Sequence, residues 1–192
     1  LLTALLAWRF FSISTSMSLS SIIGNAPLVT KIYFPRWLLV LSSNLANLIG
    51  SSLEFAAFLP LLVFLGMKIT PLALFLPVIL ILEFILITGV SLILAALNVY
   101  YRDFNQIWEI TLQIGFFLCP IIYRITLIPE RYIVAYSLNP MTRVIESIRR
   151  ILYYSTLPTL ADFIIILVSG LVLLLLGYLV FRRLEPRFAE EI

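Results

Sequence analysis

The sequence predicts an all-α integral membrane protein, a polytopic helical bundle with about five spanning helices and an interfacial or re-entrant amphipathic helix before the last of them. Three observations carry this. Of the 192 residues, 62% are hydrophobic and 12% charged, and the mean hydropathy is +1.10; the charged share is about half that of an ordinary soluble domain. Apolar runs of roughly 20 residues, the length a helix needs to cross a hydrocarbon core, recur along the whole chain. Between the last two runs, a more polar stretch carries its apolar side chains on one helical stripe.

The first predicted span, about Leu1 to Ile23, begins apolar and becomes rich in hydroxyls at Ser12, Ser14, Thr15, Ser16, Ser18, Ser20 and Ser21. Small hydroxyl residues let helices approach closely in lipid and bond to carbonyls, so they serve packing or line a polar passage. The second and third spans, about Trp37 to Leu65 and Pro71 to Leu97, are separated only by Gly66 to Thr70 and should form an antiparallel hairpin. A fourth runs from about Ile107 to Tyr123 and a fifth from about Leu160 to Phe181, closed by Arg182, Arg183 and Arg187. In Pro140 to Tyr154, Met141, Val144, Ile145, Ile148 and Leu152 share a stripe opposite Arg143, Glu146, Arg149 and Arg150. That helix is too polar to span and should lie in the interface or re-enter the membrane. Pro129 and Pro158 punctuate its approaches.

Several function classes fall away. The absence of histidine removes His-based metal sites and His general bases. The net charge of +3 comes from scattered residues, which gives nucleic-acid binding no footprint. The single cysteine, Cys119, cannot form a disulfide within the chain and reads as a small buried side chain. None of the seven glycines opens a GxxxxGK[ST] loop, so nothing cradles nucleotide phosphates. No internal repeat is visible, against inverted-repeat carriers. Basic residues divide evenly between the two sides of the predicted topology. Discounting the arginines of the amphipathic helix puts Lys31, Arg36, Arg102 and the C-terminus in the cytosol.

Six stretches, taken in order, resemble a known family. They are AWRFF at 7–11, GNAPLVTKIYFPR at 24–36, LNVYYRDFNQIWEI at 97–110, FFLCPIIY at 116–123, LNPMTRVIESIRRIL at 138–152 and FRRLEPRFAEEI at 181–192. Together they are similar to the type-2 ABC transporter permeases that export polysaccharides and polyol phosphates. Cys119 stands where that family often has Ser, and Arg9 where an uncharged residue is more usual. The resemblance implies a single transmembrane domain over residues 1–192. It also implies an upstream amphipathic helix and one more spanning helix, six spans in the full protein, so that roughly 50–70 residues lie upstream of Leu1.

By the same resemblance the chain is no enzyme alone. It would form a homodimer with two copies of a separate ABC ATPase, which holds ATP and Mg, in a prokaryotic cytoplasmic membrane. The cargo would be a lipid-linked polymer such as an O-antigen, capsule or teichoic acid. Lys31, Tyr33, Phe34, Pro35 and Arg36 would receive the ATPase, offering cationic donors and aromatic anchors; simple anchoring at the membrane surface is the alternative. Arg102 and Asp103 are adjacent on the chain and do not face each other on a helix. Asp103 is placed to cap the helix starting near Phe104 and Arg102 to satisfy carbonyls ending the preceding helix; a direct role in coupling is the alternative.

A polymer passage needs aromatic and hydroxyl walls. Trp8, Phe10, Phe11, Phe116, Phe117, Tyr123, Tyr153 and Tyr154 are candidates, with interfacial aromatic belts as the competing origin. Three carboxylates lie within the predicted spans, Glu54, Glu83 and Glu109. Intramembrane acids are costly unless paired or hydrated. Glu109 should lie near the cytosolic boundary, while Glu54 and Glu83 could pair with hydroxyls. A proton-coupled carrier using Glu54 and Glu83 is the alternative function, and a non-transporting scaffold a third.

Overall fold

The computed structural model describes residues 1–31, 34–66, 70–123 and 125–188. Every described element is helical: α1 (Leu2–Ser20), α2 (Ala26–Lys31), α3 (Trp37–Phe64), α4 (Leu76–Tyr100, led in by a 3-10 turn Pro71–Phe75), α5 (Phe104–Leu118), α6 (Glu130–Leu138), α7 (Pro140–Arg149, continued by a π-helical turn Arg150–Tyr154) and α8 (Leu160–Leu184, followed by a 3-10 turn Glu185–Arg187).

Among the described residues, three segments are long and apolar enough to cross a membrane: Trp37–Phe64, Pro71–Tyr100 and Leu160–Arg187. The other two predicted spans are helices as well, but each falls short for a physical reason. In α1 the hydroxyl-rich second half and Arg9 dilute the apolar content. α5 has 15 residues, a rise of about 22 Å against a hydrocarbon core near 30 Å. It stops at Leu118 rather than Tyr123 because Cys119 is drawn into an extended conformation ahead of Pro120.

The centre of the bundle is α4, with α8 lying along it. Leu86 sits beside Gly170, Gly89 beside Leu173 and Leu92 beside Gly177, so the two helices rise in the same direction. They touch backbone to backbone, since a Cβ on Gly89 would meet the Leu174 amide and one on Gly177 the Gly89 carbonyl. Close approach through small residues is how helices gain contact where lipid supplies no hydrophobic drive.

Antiparallel to both runs α3, held to α1 by Ser18 and Asn44 (2.9 Å) at one end and by Arg9 and Glu54 (3.3 Å) at the other. The predicted hairpin of the second and third spans is thus present. Buried hydroxyls of α1 serve this packing. Ser18 also bonds the Ser14 carbonyl, Asn98 of α4 donates to the Leu19 carbonyl, and Trp108 of α5 donates to Thr15.

The apolar stripe of α7 faces inward. Met141, Val144, Ile145, Ile148 and Leu152 are all buried, packed against α1, α4 and α8. Its polar side is engaged by partners. The buried carboxylate of Asp162, at the start of α8, accepts from Arg143 (2.5 Å) and Arg150 (3.1 Å) while closing a capping box with Thr159. Arg149, expected opposite the apolar stripe, is buried. It bonds Glu146 (2.5 Å) and the Pro120 carbonyl (2.8 Å) where the chain leaves α5. A buried guanidinium requires such partners, and these pin α7 at both ends.

Candidate functional site

At the end of the bundle where α4 and α8 finish, four chain segments meet. Arg36, just before α3, donates its backbone N–H to the Glu185 carboxylate (3.2 Å) and a guanidinium N–H to the Glu185 carbonyl (2.5 Å). Tyr100, the last residue of α4, donates its hydroxyl to the Leu184 carbonyl (2.9 Å) and sets its ring edge-on against Phe188. Phe188 is fully buried and also meets Phe181. An apolar cluster of Ile22, Val29, Val40 and Val99 completes the unit.

The chain after α8 therefore folds back as a collar that ties the 31–36 loop to the ends of α4 and α8. Arg36 was expected to face a partner, and the structure commits one of its arms to the collar. Phe34 is half-buried and Pro35 exposed. Tyr33 and the side chain of Lys31 lie outside the described residues.

One residue past Tyr100 the chain is exposed from Tyr101 to Asp103. Asp103 occupies the N-cap position of α5, but its carboxylate makes no cap hydrogen bond. Among the described residues, Arg102 binds no carbonyl at the end of α4. The expected pair of turn-fixing bonds is not formed. The reason is visible in the backbone: Asp103 has φ −76° and ψ −3°, near-helical values, whereas a capping residue normally sits in the extended region with its side chain swung over the first free amides.

The candidate passage aromatics fall into two groups and one exception. Trp8 and Phe11 of α1, 5.5 Å apart, meet α5 through Phe116, edge-on to Trp8 at 6.2 Å, and Trp108, tilted against Phe11 at 6.4 Å. Gly115 permits this, since a Cβ there would stand 2.9 Å from the Trp8 ring. Phe117 continues the wall edge-on to Phe116 and is exposed.

The second group surrounds a cavity of about 460 Å³ at the opposite end of the bundle from the collar, lined by Tyr123, Tyr153, Tyr154, Arg149, Phe58 and Leu62 among others. Tyr153 and Tyr154 pack edge-to-face at 5.0 Å, and Tyr123 donates to the Phe117 carbonyl. Phe10 is the exception: at 1% exposure it belongs to the core and lines no passage within this subunit.

The three acids separate as well. Glu54 pairs with Arg9 rather than with a hydroxyl, which also accounts for the unusual charge in α1. Glu83 is fully buried, and neither carboxylate oxygen has a hydrogen-bond partner among the described residues, so the expected hydroxyl pairing is absent. Glu109 is exposed on α5. Sequence reasoning missed Trp108, Asn44, Tyr100, Glu185 and Asp162. Asp162 alone carried a signal, as the lone acid in the last span and three residues beyond Thr159.

Residues 1–153 match the ABC-2 type transporter family. The chain belongs to that family. Its relatives include an O-antigen export system permease protein RfbA of Klebsiella pneumoniae, 32% identical over 99% of this chain and 73% of the relative. A second Klebsiella pneumoniae protein of the same name is 33% identical over the same shares, and one of Myxococcus xanthus is 30% identical over 98% of this chain and 73% of its own length. As an ABC-2 family member with several membrane-length apolar helices, the chain is a multi-pass membrane protein.

Proposed function

We propose that the chain is the permease subunit of an ATP-driven exporter that carries a lipid-linked polysaccharide or polyol-phosphate polymer across a prokaryotic cytoplasmic membrane. The observation that carries this reading is the similarity, over nearly the whole chain, to permeases named for O-antigen export. It favours an O-antigen over a capsule or teichoic acid polymer. In this reading five helices of the chain cross the membrane and the collar with its C-terminal turn lies in the cytosol. Two permeases assemble with two copies of a separate ATPase that holds ATP and Mg. The loop ending at Arg36 receives the ATPase, and the exposed Arg102 and Asp103 lie on the same side. The aromatic wall of Trp8, Phe11 and Phe116, with the tyrosines at the far cavity, offers faces on which sugars stack.

Affinity purification of the full permease from its native host tests this. An ATPase should copurify, ATP turnover should require that subunit, and the complex should hold two permeases. ATP turnover by the permease free of other subunits, or an active complex with one permease, overturns the reading. Glu83, buried and without a hydrogen-bond partner among the described residues, is the one observation that favours a proton-coupled carrier instead. Transport that persists without ATP and follows an imposed pH gradient, lost in Glu83→Gln, would establish that alternative.

A further inference from the structure

Two cavities at the collar end of the bundle share Trp37 and Tyr178 as walls. One, of about 510 Å³, lies between α3, α4 and α8 and is lined by Leu41, Phe84, Leu92, Leu171 and Leu175 without any charged side chain. The other, of about 570 Å³, is lined by Arg36, Arg182, Glu185 and Pro186 together with Phe34 and Pro35. Both are of the size that holds small organic ligands. The pair differs in kind: no charged side chain lines the first, whereas Arg36, Arg182 and Glu185 join Phe34, Pro35, Phe181 and Pro186 in the second.

Donors at the divide are unspent. Arg182 is exposed and makes no ion pair or hydrogen bond among the described residues, and the same holds for the Trp37 indole N–H and the Tyr178 hydroxyl. Glu185, the one carboxylate among the described residues of the cleft, already accepts the Arg36 backbone N–H.

We propose that the two cavities form one binding site for an anionic glycerophospholipid. An acyl chain lies in the groove between α3, α4 and α8, the phosphate meets Arg182, and Trp37 and Tyr178 donate to phosphate and ester oxygens. Only an amphiphile uses both halves. An apolar peptide segment would leave the donors unsatisfied, and free phosphate would leave the groove empty. Trp and Tyr at an apolar-to-polar boundary mark headgroup depth, and a guanidinium presents a planar fork that fits phosphate oxygens. Among the described residues Arg36 and Arg182 outweigh Glu185 in the cleft, and Arg183 and Arg187 are exposed on the neighbouring surface. That excess of positive charge selects an anionic headgroup over a zwitterionic one. The site stands on these two cavities alone; only its placement in the cytosolic leaflet rests on the proposed export reading.

The test uses the delipidated full permease complex in detergent, with lipid retention followed by native mass spectrometry and stability by thermal melting. Phosphatidylglycerol should be retained and should raise the melting midpoint by roughly 2–4 °C more than phosphatidylcholine does, while inorganic phosphate should do nothing. Arg182→Gln should abolish that difference and Arg182→Lys keep part of it. Leu175→Trp, at a position 60% exposed and thus tolerant of size, should fill the groove and prevent retention of both lipids.

Equal effects of the two lipids on the native protein would overturn the proposal, as would an undiminished phosphatidylglycerol effect in Arg182→Gln or Leu175→Trp. So would a shift produced by phosphate alone, or a change of oligomeric state in Leu175→Trp, which would make a second copy the occupant. The variants Arg182→Gln and Leu175→Trp lie outside the loop proposed to receive the ATPase, so an ATPase that fails to copurify with the native protein overturns the export reading, while the lipid comparison within the same preparation judges the lipid site.

Discussion

Two aspartates at the starts of helices make opposite predictions. Asp162 is buried at 2% exposure, accepts from Arg143 and Arg150, and caps α8 with Thr159. Asp162→Asn leaves two guanidinium groups facing a neutral amide, and breaking a buried pair from one side costs about 3 kcal/mol or more. Asp103 is exposed and its carboxylate caps nothing, so Asp103→Ala should change stability by no more than about 0.5 kcal/mol, the range of ordinary surface substitutions. Melting of both variants in detergent checks the contrast. A large loss in Asp103→Ala would mean that the carboxylate reaches the free amides of α5 after all. The sequence placed Asp103 correctly at a helix start, yet an N-cap position is read from chain order whereas a cap bond depends on backbone angles. The clamp on Asp162 joins residues 12 and 19 positions apart, and no local pattern announces which arginine it will meet.

At the scale of elements, the long apolar runs were legible almost to the residue. α3 and α4 with its lead-in fill the second and third predicted spans to within three residues, because length and hydropathy alone decide such helices. α5 was shifted toward the C-terminus by the polar Asn105, Gln106 and Glu109, which hydropathy discounts but helix geometry tolerates. α6 was not foreseen, since its nine residues have no sustained apolar period. The glycines of α8 carried more than their sequence suggested. A methyl on Gly177 would run into the Gly89 carbonyl, and backbone cannot rotate aside as a side chain can. Gly177→Ala should therefore force α8 away from α4 and destabilise the bundle by about 1–3 kcal/mol, the usual range for overpacking. Gly24→Ala, where a Cβ meets open space, is the matched control. Equal melting of the two variants would show that the helices are less tightly joined than this contact implies.

For the whole molecule, the collar offers a path for force if the loop ending at Arg36 receives the ATPase as proposed. Arg36 precedes α3, Glu185 and Phe188 follow α8, and Tyr100 ends α4 two residues before Arg102. The two stretches from which a partner surface was expected are therefore mechanically joined through Tyr100 and the C-terminal turn, a link that no sequence spacing reveals. Docking and transmission should then be separable. Phe34→Ala removes an aromatic anchor from the loop and should weaken ATPase retention. Tyr100→Phe keeps the ring against Phe188 and deletes only the hydroxyl that holds the Leu184 carbonyl. It should cost about 1 kcal/mol of stability and leave ATPase retention unchanged, while transport per ATP hydrolysed falls. Copurification, melting and the ratio of export to ATP turnover in reconstituted vesicles measure the three quantities independently. Full ATPase retention in Phe34→Ala would remove the loop as the docking surface. Loss of ATPase in Tyr100→Phe would move the docking surface onto the collar itself, and an unchanged export-to-ATP ratio in that variant would mean that force passes from loop to helices by another route.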